Sequence, residues 1–288
     1  MILLRPARDA VEVLVTRRHE NMKFMGGLWV FPGGTLSPAD SSAAALACLP
    51  EAWRAHCPRF TDLHGERLEP DRCAALAVTA YRETFEETGV LLARTRDGQR
   101  VSHEARAALL AQRRAVAAQP ELFAPLLSEH GMLLDTSRLL YWAHWITPSG
   151  APRRFDTRFF LAPVPPEETA EIDAIEATDH AWKTPAALIR EAREGSMPLS
   201  PPTLYNLIAL EAALHEHGSL SAMLEGESDR EISPVMPKML RGETTTTMVL
   251  PWDPEYARLP GENVPEQVRY PSSLTELPSR VTLRTSAL

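Results

Sequence analysis

From Asp71 to Thr88 the chain runs without a glycine or proline, is rich in alanine, and closes on Gly89. Such a segment favours the helical state, with Asp71 as the expected cap and Gly89 as the expected stop. At about 100° per residue, Ala74, Val78, Tyr81 and Phe85 gather on one side while Glu83, Glu86 and Glu87 share an arc on the other. One face is built to be buried. The opposite face crowds three carboxylates at the end of the helix where the dipole is already negative. Arg82 can neutralise one charge, and a hard divalent cation, which prefers several oxygen ligands, accommodates the rest. A solvated, glutamate-rich helix end is the competing explanation.

Around this helix, strands and helices interleave. Val11, Val13 and Val15 alternate in an extended segment, and the residues 28–34, LWVFPGG, read as a strand running into a glycine turn. Residues 41–60 look loosely helical, residues 103–130 carry a second helical stretch, and residues 139–148 and 153–165 read as an aromatic strand pair. A strand, turn and helix follow from Ala177, then a helix from about Thr203 to His217, then a short strand pair and an extended tail. This pattern predicts α/β or α+β layering. We expect one domain over residues 1–250, with an insertion at about 41–73, a helical segment at about 102–130, and a tail over 251–288.

A net charge of −8 and a pI near 5.6 argue against a general binder of nucleic acid or anionic membrane, so a polyanionic ligand needs local cations. No apolar run is long enough to span a membrane, and the opening MILLRPARD is too short and too soon charged for a secretory signal. A cytoplasmic protein is the expectation, and a homodimer is compatible with it. Cys48, Cys57 and Cys73, with His56 and His64 among them, show no disulfide or zinc-ligand spacing and read as ordinary thiols and surface residues.

Upstream of the helix stands FPGGTLSPAD, in which five residues separate Gly34 from Asp40. With Arg82, Glu83, Thr84, Phe85, Glu86, Glu87, Thr88, Gly89 and Val90, this resembles the signature of the Nudix hydrolases. That signature runs glycine, any five, glutamate, any seven, then arginine, glutamate, an aliphatic, any residue, two glutamates, any residue, glycine and an aliphatic. Thr84 stands where the signature has an aliphatic residue and Asp40 where it has glutamate. Forty-one residues, not seven, lie between Asp40 and Arg82. An insertion at this place resembles one branch, the peroxisomal coenzyme A diphosphatases and their bacterial relatives; RFDTRFF, HWITP and AWKTPAAL look like later segments of the same group.

The resemblance implies an α/β/α sandwich with a mixed sheet and helical insertions. It implies that Glu83, Glu86 and Glu87, with the Gly33 carbonyl, hold magnesium or manganese, and that Glu83 activates water directly or through the metal. Asp40 would accept a hydrogen bond from Arg82 and fix the helix against the loop, and Gly33 and Gly34 would let the backbone approach a phosphate. The substrate would be a small nucleotide: a nucleoside diphosphate linked to another group, with coenzyme A or acyl-coenzyme A leading. ADP-ribose, NADH, a sugar nucleotide, or a non-catalytic nucleotide-sensing role are the alternatives. Metal ions would invert the sign of a carboxylate cluster that otherwise repels a diphosphate. Residues 41–73 would form a lid or wall beside that diphosphate, or else a solvated insertion. Glu176 is a further acid to consider, although a solvated loop glutamate is the simpler reading. Trp142, Trp145, Phe155, Phe159 and Phe160 read as core before they read as a base-stacking platform, and Arg153, Arg154 and Arg158 as solvent-facing. The C-terminal SAL lacks the basic middle residue of a peroxisomal address.

Overall fold

Val13 and Val15 point to one side of their strand and Leu14 to the other, yet all three are buried. That strand therefore lies inside a sandwich. The computed structural model describes residues 1–8, 10–22, 25–53, 59–149, 151, 153–172 and 177–284. In chain order the described elements begin with β1 (Ile2–Ala7), β2 (Ala10–Arg18), β3 (Trp29–Val30), α1 (Ala43–Leu46), α2 (Pro70–Thr88) and β4 (Ala93–Thr95). The helical segment α3 (His103–Ala111), α4 (Arg113–Ala118) and α5 (Phe123–Glu129) precedes β5 (Met132–Leu134), β6 (Leu140–Ile146), β7 (Asp156–Pro163) and β8 (Ala177–Lys183). Then come α6 (Pro185–Glu194), α7 (Pro201–His217), α8 (Leu220–Gly226), β9 (Pro234–Val235), β10 (Lys238–Arg241), β11 (Thr245–Val249), α9 (Ser272–Thr275) and β12 (Arg280–Arg284).

Seven strands form the central sheet, in the order β3-β2-β1-β7-β6-β9 with β8 also paired to β2. It is mixed: β1 runs parallel to β7 and β6 to β9, while the other pairings are antiparallel. Leu3, Leu14, Tyr141 and Phe160 pack with α2 and the helical insertions on one face. Ile2, Val13, Val15, Trp142 and Trp145 pack with α6 and α7 on the other. Helices thus cover both faces, an α/β sandwich of helix, sheet and helix. No helix among the described residues is long and apolar enough to cross a membrane.

The insertion is part of the core. Ala45, Leu46, Cys48, Leu49, Trp53 and Phe60 are all buried with α2, and the ring of Phe60 stacks on Tyr141 with centroids 4.2 Å apart. A solvated loop is thereby excluded for these positions, and a loose lid as well, since Phe60 is 1% exposed. Of the broad helix expected over residues 41–60, the described residues retain only α1 and short turns; Pro50 interrupts the run, and Phe60, with Trp53 packed on it, ties the segment to the sheet.

Two local expectations are corrected. Asp71 does not cap α2: Pro70 takes the first helical position, where its missing N–H costs nothing, and Glu69 stands at the cap without a side-chain bond. The segment after residue 250 is not extended throughout, since β12 returns to pair with β11 and closes a three-stranded sheet with β10. Asp253 anchors that return through two 2.8 Å bonds from Arg280. Cys57, His56 and the C-terminal SAL lie outside the described residues; Cys48 and Cys73 are buried.

Candidate active site

Helix α2 is amphipathic in sequence, but its charged side is not left to water. Behind Gly33 and Gly34 the chain makes a short 3₁₀ turn, Pro38–Ser41, closed by a capping box in which Ser37 N donates to Asp40 Oδ2 at 2.9 Å. This turn carries Asp40 into the protein, opposite Arg82. Arg82 Nε donates to Asp40 Oδ1 at 2.7 Å and Nη2 to Asp40 Oδ2 at 2.9 Å, a bidentate pair, while Thr79 Oγ1 donates to the same carboxylate at 2.9 Å. The guanidinium also donates to Glu86 Oε1 at 2.8 Å, Glu83 Oε1 at 2.9 Å and the Thr35 carbonyl at 3.2 Å. With Arg82 2% exposed and Asp40 1% exposed, neither is placed to meet a substrate; both position the carboxylates of Glu83 and Glu86.

The loop closes over the other side of the helix. Gly33 N donates to Glu87 Oε2 at 3.0 Å, and Pro32 O accepts from the Met1 amine at 2.6 Å. Gly34 lies so near Glu83 that a Cβ there would land on the Glu83 carboxylate. Any side chain at 34 would therefore push the Glu83 carboxylate aside. Gly33 has φ 152°, a conformation that L side chains rarely adopt.

The far end of α2 is fixed from outside the signature. Gly89, at φ 69°, returns its N–H to the Phe85 carbonyl. Arg113 Nε from α4 donates to the Glu86 carbonyl at 2.7 Å, and Glu171 N donates to the Thr88 carbonyl at 2.8 Å. The Phe85, Glu86 and Thr88 carbonyls of the carboxylate-bearing turn are thus answered, and a guanidinium sits at the negative end of the dipole. Nothing in the sequence marked Arg113, because its partners are backbone atoms and its place in space depends on how α4 docks.

Glu83, Glu86, Glu87, Gly33 and Gly34 are thus brought together at one loop–helix junction, with Asp40 and Arg82 behind them. As the side chains stand, no three His, Cys, Asp or Glu among the described residues form a ready metal shell. Glu83 and Glu86 are drawn to Arg82 and Glu87 to the Gly33 amide. Burial pushes the Glu86 carboxyl up to about 7 against the opposing pull of Arg82. Hard oxygen donors whose negative charge exceeds what one arginine offsets suit a divalent cation. Glu176 lies outside the described residues. Trp142, Trp145 and Phe160 are core. Arg158 is buried, donating to the Thr61 carbonyl at 2.8 Å, and does not face solvent as expected. A small cavity lined by Trp142, Tyr205 and Arg230, with about 10 Å³ of free room, fits one water and lies on the opposite face of the sheet from α2.

A family model described as the NUDT19 Nudix domain matches residues 63–210, from the insertion through α2 into α7. The chain belongs to the Nudix hydrolases. Within them it is 30% identical over 286 residues to the chicken (Gallus gallus) acyl-coenzyme A diphosphatase NUDT19, covering 86% of this chain and 74% of that protein. The human (Homo sapiens) protein of the same name is 28% identical over 229 residues, covering 70% of this chain and 61% of its own length. The crystal structure of a Nudix hydrolase from Alicyclobacillus acidocaldarius superposes with a TM-score of 0.56 at 28% identity, over 78% of this chain and 92% of that one. The glutamates at 83, 86 and 87 thus stand in a Nudix hydrolase fold.

Proposed function

We propose that this Nudix hydrolase cleaves the diphosphate of coenzyme A or an acyl-coenzyme A, releasing 3′,5′-ADP and 4′-phosphopantetheine or its acyl form, with Mg²⁺ or Mn²⁺ bound. The observation that carries the reading is the long alignment with an acyl-coenzyme A diphosphatase, which runs across 86% of the chain and so includes the insertion. Glu83, Glu86, Glu87 and the Gly33 carbonyl would hold the cation. When bound, it would polarise a phosphoryl oxygen and lower the pKa of water at the site.

The protein's own groups do the rest. Glu83, packed on Gly34 and steered by Arg82, would take a proton from the attacking water. Arg82, locked by Asp40, keeps Glu83 and Glu86 from swinging apart. The Gly33–Gly34 backbone leaves room for a phosphate where side chains would block it. The test is a panel of coenzyme A, acyl-coenzyme A, ADP-ribose, NADH, sugar nucleotides and dinucleoside polyphosphates, each assayed with magnesium and with manganese. The highest kcat/KM is expected for coenzyme A or its acyl esters; a higher value for any other member would replace this assignment.

A further inference from the structure

Glu86 and Glu87 are neighbours in sequence, so one planar peptide group joins them, and the setting of that plane fixes the direction in which both side chains leave the helix. In a continuing helix the Glu86 carbonyl would accept from the amide of Val90. Here α2 stops at Gly89, and Val90 N donates instead to Thr88 Oγ1 at 3.2 Å. The Glu86 carbonyl is thereby left to Arg113, whose Nε donates to it at 2.7 Å. Arg113 therefore grips, from outside the Nudix signature, the peptide that links two of the three clustered glutamates.

The grip has a firm base. Arg113 opens α4, whose Val116 is fully buried in the core shared with α2, and Phe123 of α5 packs its ring on Phe85 with centroids 5.9 Å apart. Nη1 of the same guanidinium donates to the Glu171 carbonyl at 2.5 Å, and Glu171 N donates to the Thr88 carbonyl at 2.8 Å. The guanidinium also lies against the bare Cα of Gly89, where a Cβ would stand 3.3 Å from Arg113 Nη1 and 3.3 Å from Leu110 Cδ2 of α3. Gly89 thus admits the arginine as well as ending the helix. Three separate holds converge on the glutamate pair: Arg82 on the Glu86 carboxylate, the Gly33 amide on the Glu87 carboxylate, and Arg113 on the peptide between them.

We propose that Arg113 is a positioning residue for the divalent cation, acting through the Glu86–Glu87 peptide and so coupling the helical segment α3–α5 to metal affinity, a step that rests on the metal-ligand reading above. Two effects of this arginine have opposite signs. A positive charge beside the carboxylates opposes a cation, so if Arg113 acted only through space, neutralising it would tighten metal binding. If it acts by holding the peptide, its loss lets the two glutamates diverge and weakens binding. The sign of the change decides between them. The measurement is Mn²⁺ binding by the whole protein without substrate, read by electron paramagnetic resonance, together with amide hydrogen exchange over residues 83–90 of the metal-free protein. Arg113→Gln should raise the Kd for Mn²⁺ by about 10- to 100-fold, the usual consequence of removing an outer-shell partner of a metal ligand, and should speed exchange at Gly89 and Val90. Arg113→Lys, which keeps the charge and one donor, should fall between Arg113→Gln and the unaltered protein. Equal or tighter Mn²⁺ binding by Arg113→Gln would overturn the proposal. Failure of the unaltered protein to bind Mn²⁺ would instead overturn the metal-ligand reading, and the proposal with it.

Discussion

Arg82 donates to both carboxylate oxygens of Asp40, at 2.7 and 2.9 Å, across forty-two positions of sequence. The pair is buried behind the glutamate cluster, and through it a loop turn and α2 are held as one body. Asp40→Ala leaves a buried guanidinium half-paired and should cost about 3–5 kcal/mol of stability, read by urea denaturation. A change under about 0.5 kcal/mol would remove the pair from the account.

Gly34→Ala places a methyl group against the Glu83 carboxylate. That carboxylate is the far end of a flexible side chain, so the fold should survive while the acid is displaced. Turnover should fall about 100-fold, the usual consequence of misplacing a reacting group by an ångström, with an unchanged melting temperature.

If Glu83 takes the proton of the attacking water, as proposed, Glu83→Gln should lower kcat by about 10²–10⁴-fold and leave the fold in place. Glu86→Gln and Glu87→Gln should instead raise the magnesium concentration needed for half-maximal rate. Full activity of both at limiting magnesium would show that neither is a ligand.

Phe60→Ala tests the place of the insertion. Its ring lies between Tyr141, Phe160 and Trp53, so its removal should cost about 3–5 kcal/mol. Replacing the whole of residues 43–68 by a flexible linker should prevent folding, since it removes Ala45, Leu46, Cys48, Leu49, Trp53 and Phe60 from one core. A stable, active deletion variant would contradict this.

Asp253 gives an acid-side prediction. Hydrogen bonds from Arg280 hold its carboxyl far below the usual range, with the Glu255 amide and Ser279 adding to the effect. Its folded pKa is depressed, so its contribution is present above the unfolded value of about 3.9 and is lost as pH falls below that. Asp253→Asn should therefore lower the melting temperature at pH 7 and flatten the decline of stability below about pH 4.

Helix α2 was legible almost residue by residue, because its cause is local: a run without glycine or proline, a 3.6-residue apolar stripe, and Gly89 at the stop. The glutamate cluster and the two glycines were legible for the same reason. What the sequence hid is non-local. Phe60 reaches Tyr141 across eighty-one positions, and nothing in the composition of residues 41–73 separates a core segment from a solvated one. Arg113 binds carbonyls, which every residue has, so no motif records it. The return of β12 to β11 depends on the Asp253–Arg280 pairing, twenty-seven residues apart, in a stretch whose prolines read as a tail. Asp71 was misread because a proline at the first helical position competes with an acidic cap one residue later.

The central claim is that the carboxylate cluster at the loop–helix junction breaks the diphosphate of coenzyme A. The most direct measurement is chromatography of the products formed from coenzyme A by the intact protein with magnesium, beside Glu83→Gln under the same conditions. The account predicts equal amounts of 3′,5′-ADP and 4′-phosphopantetheine from the intact protein and almost none from the variant. Intact coenzyme A after prolonged incubation with the intact protein, or equal product from both proteins, would contradict it.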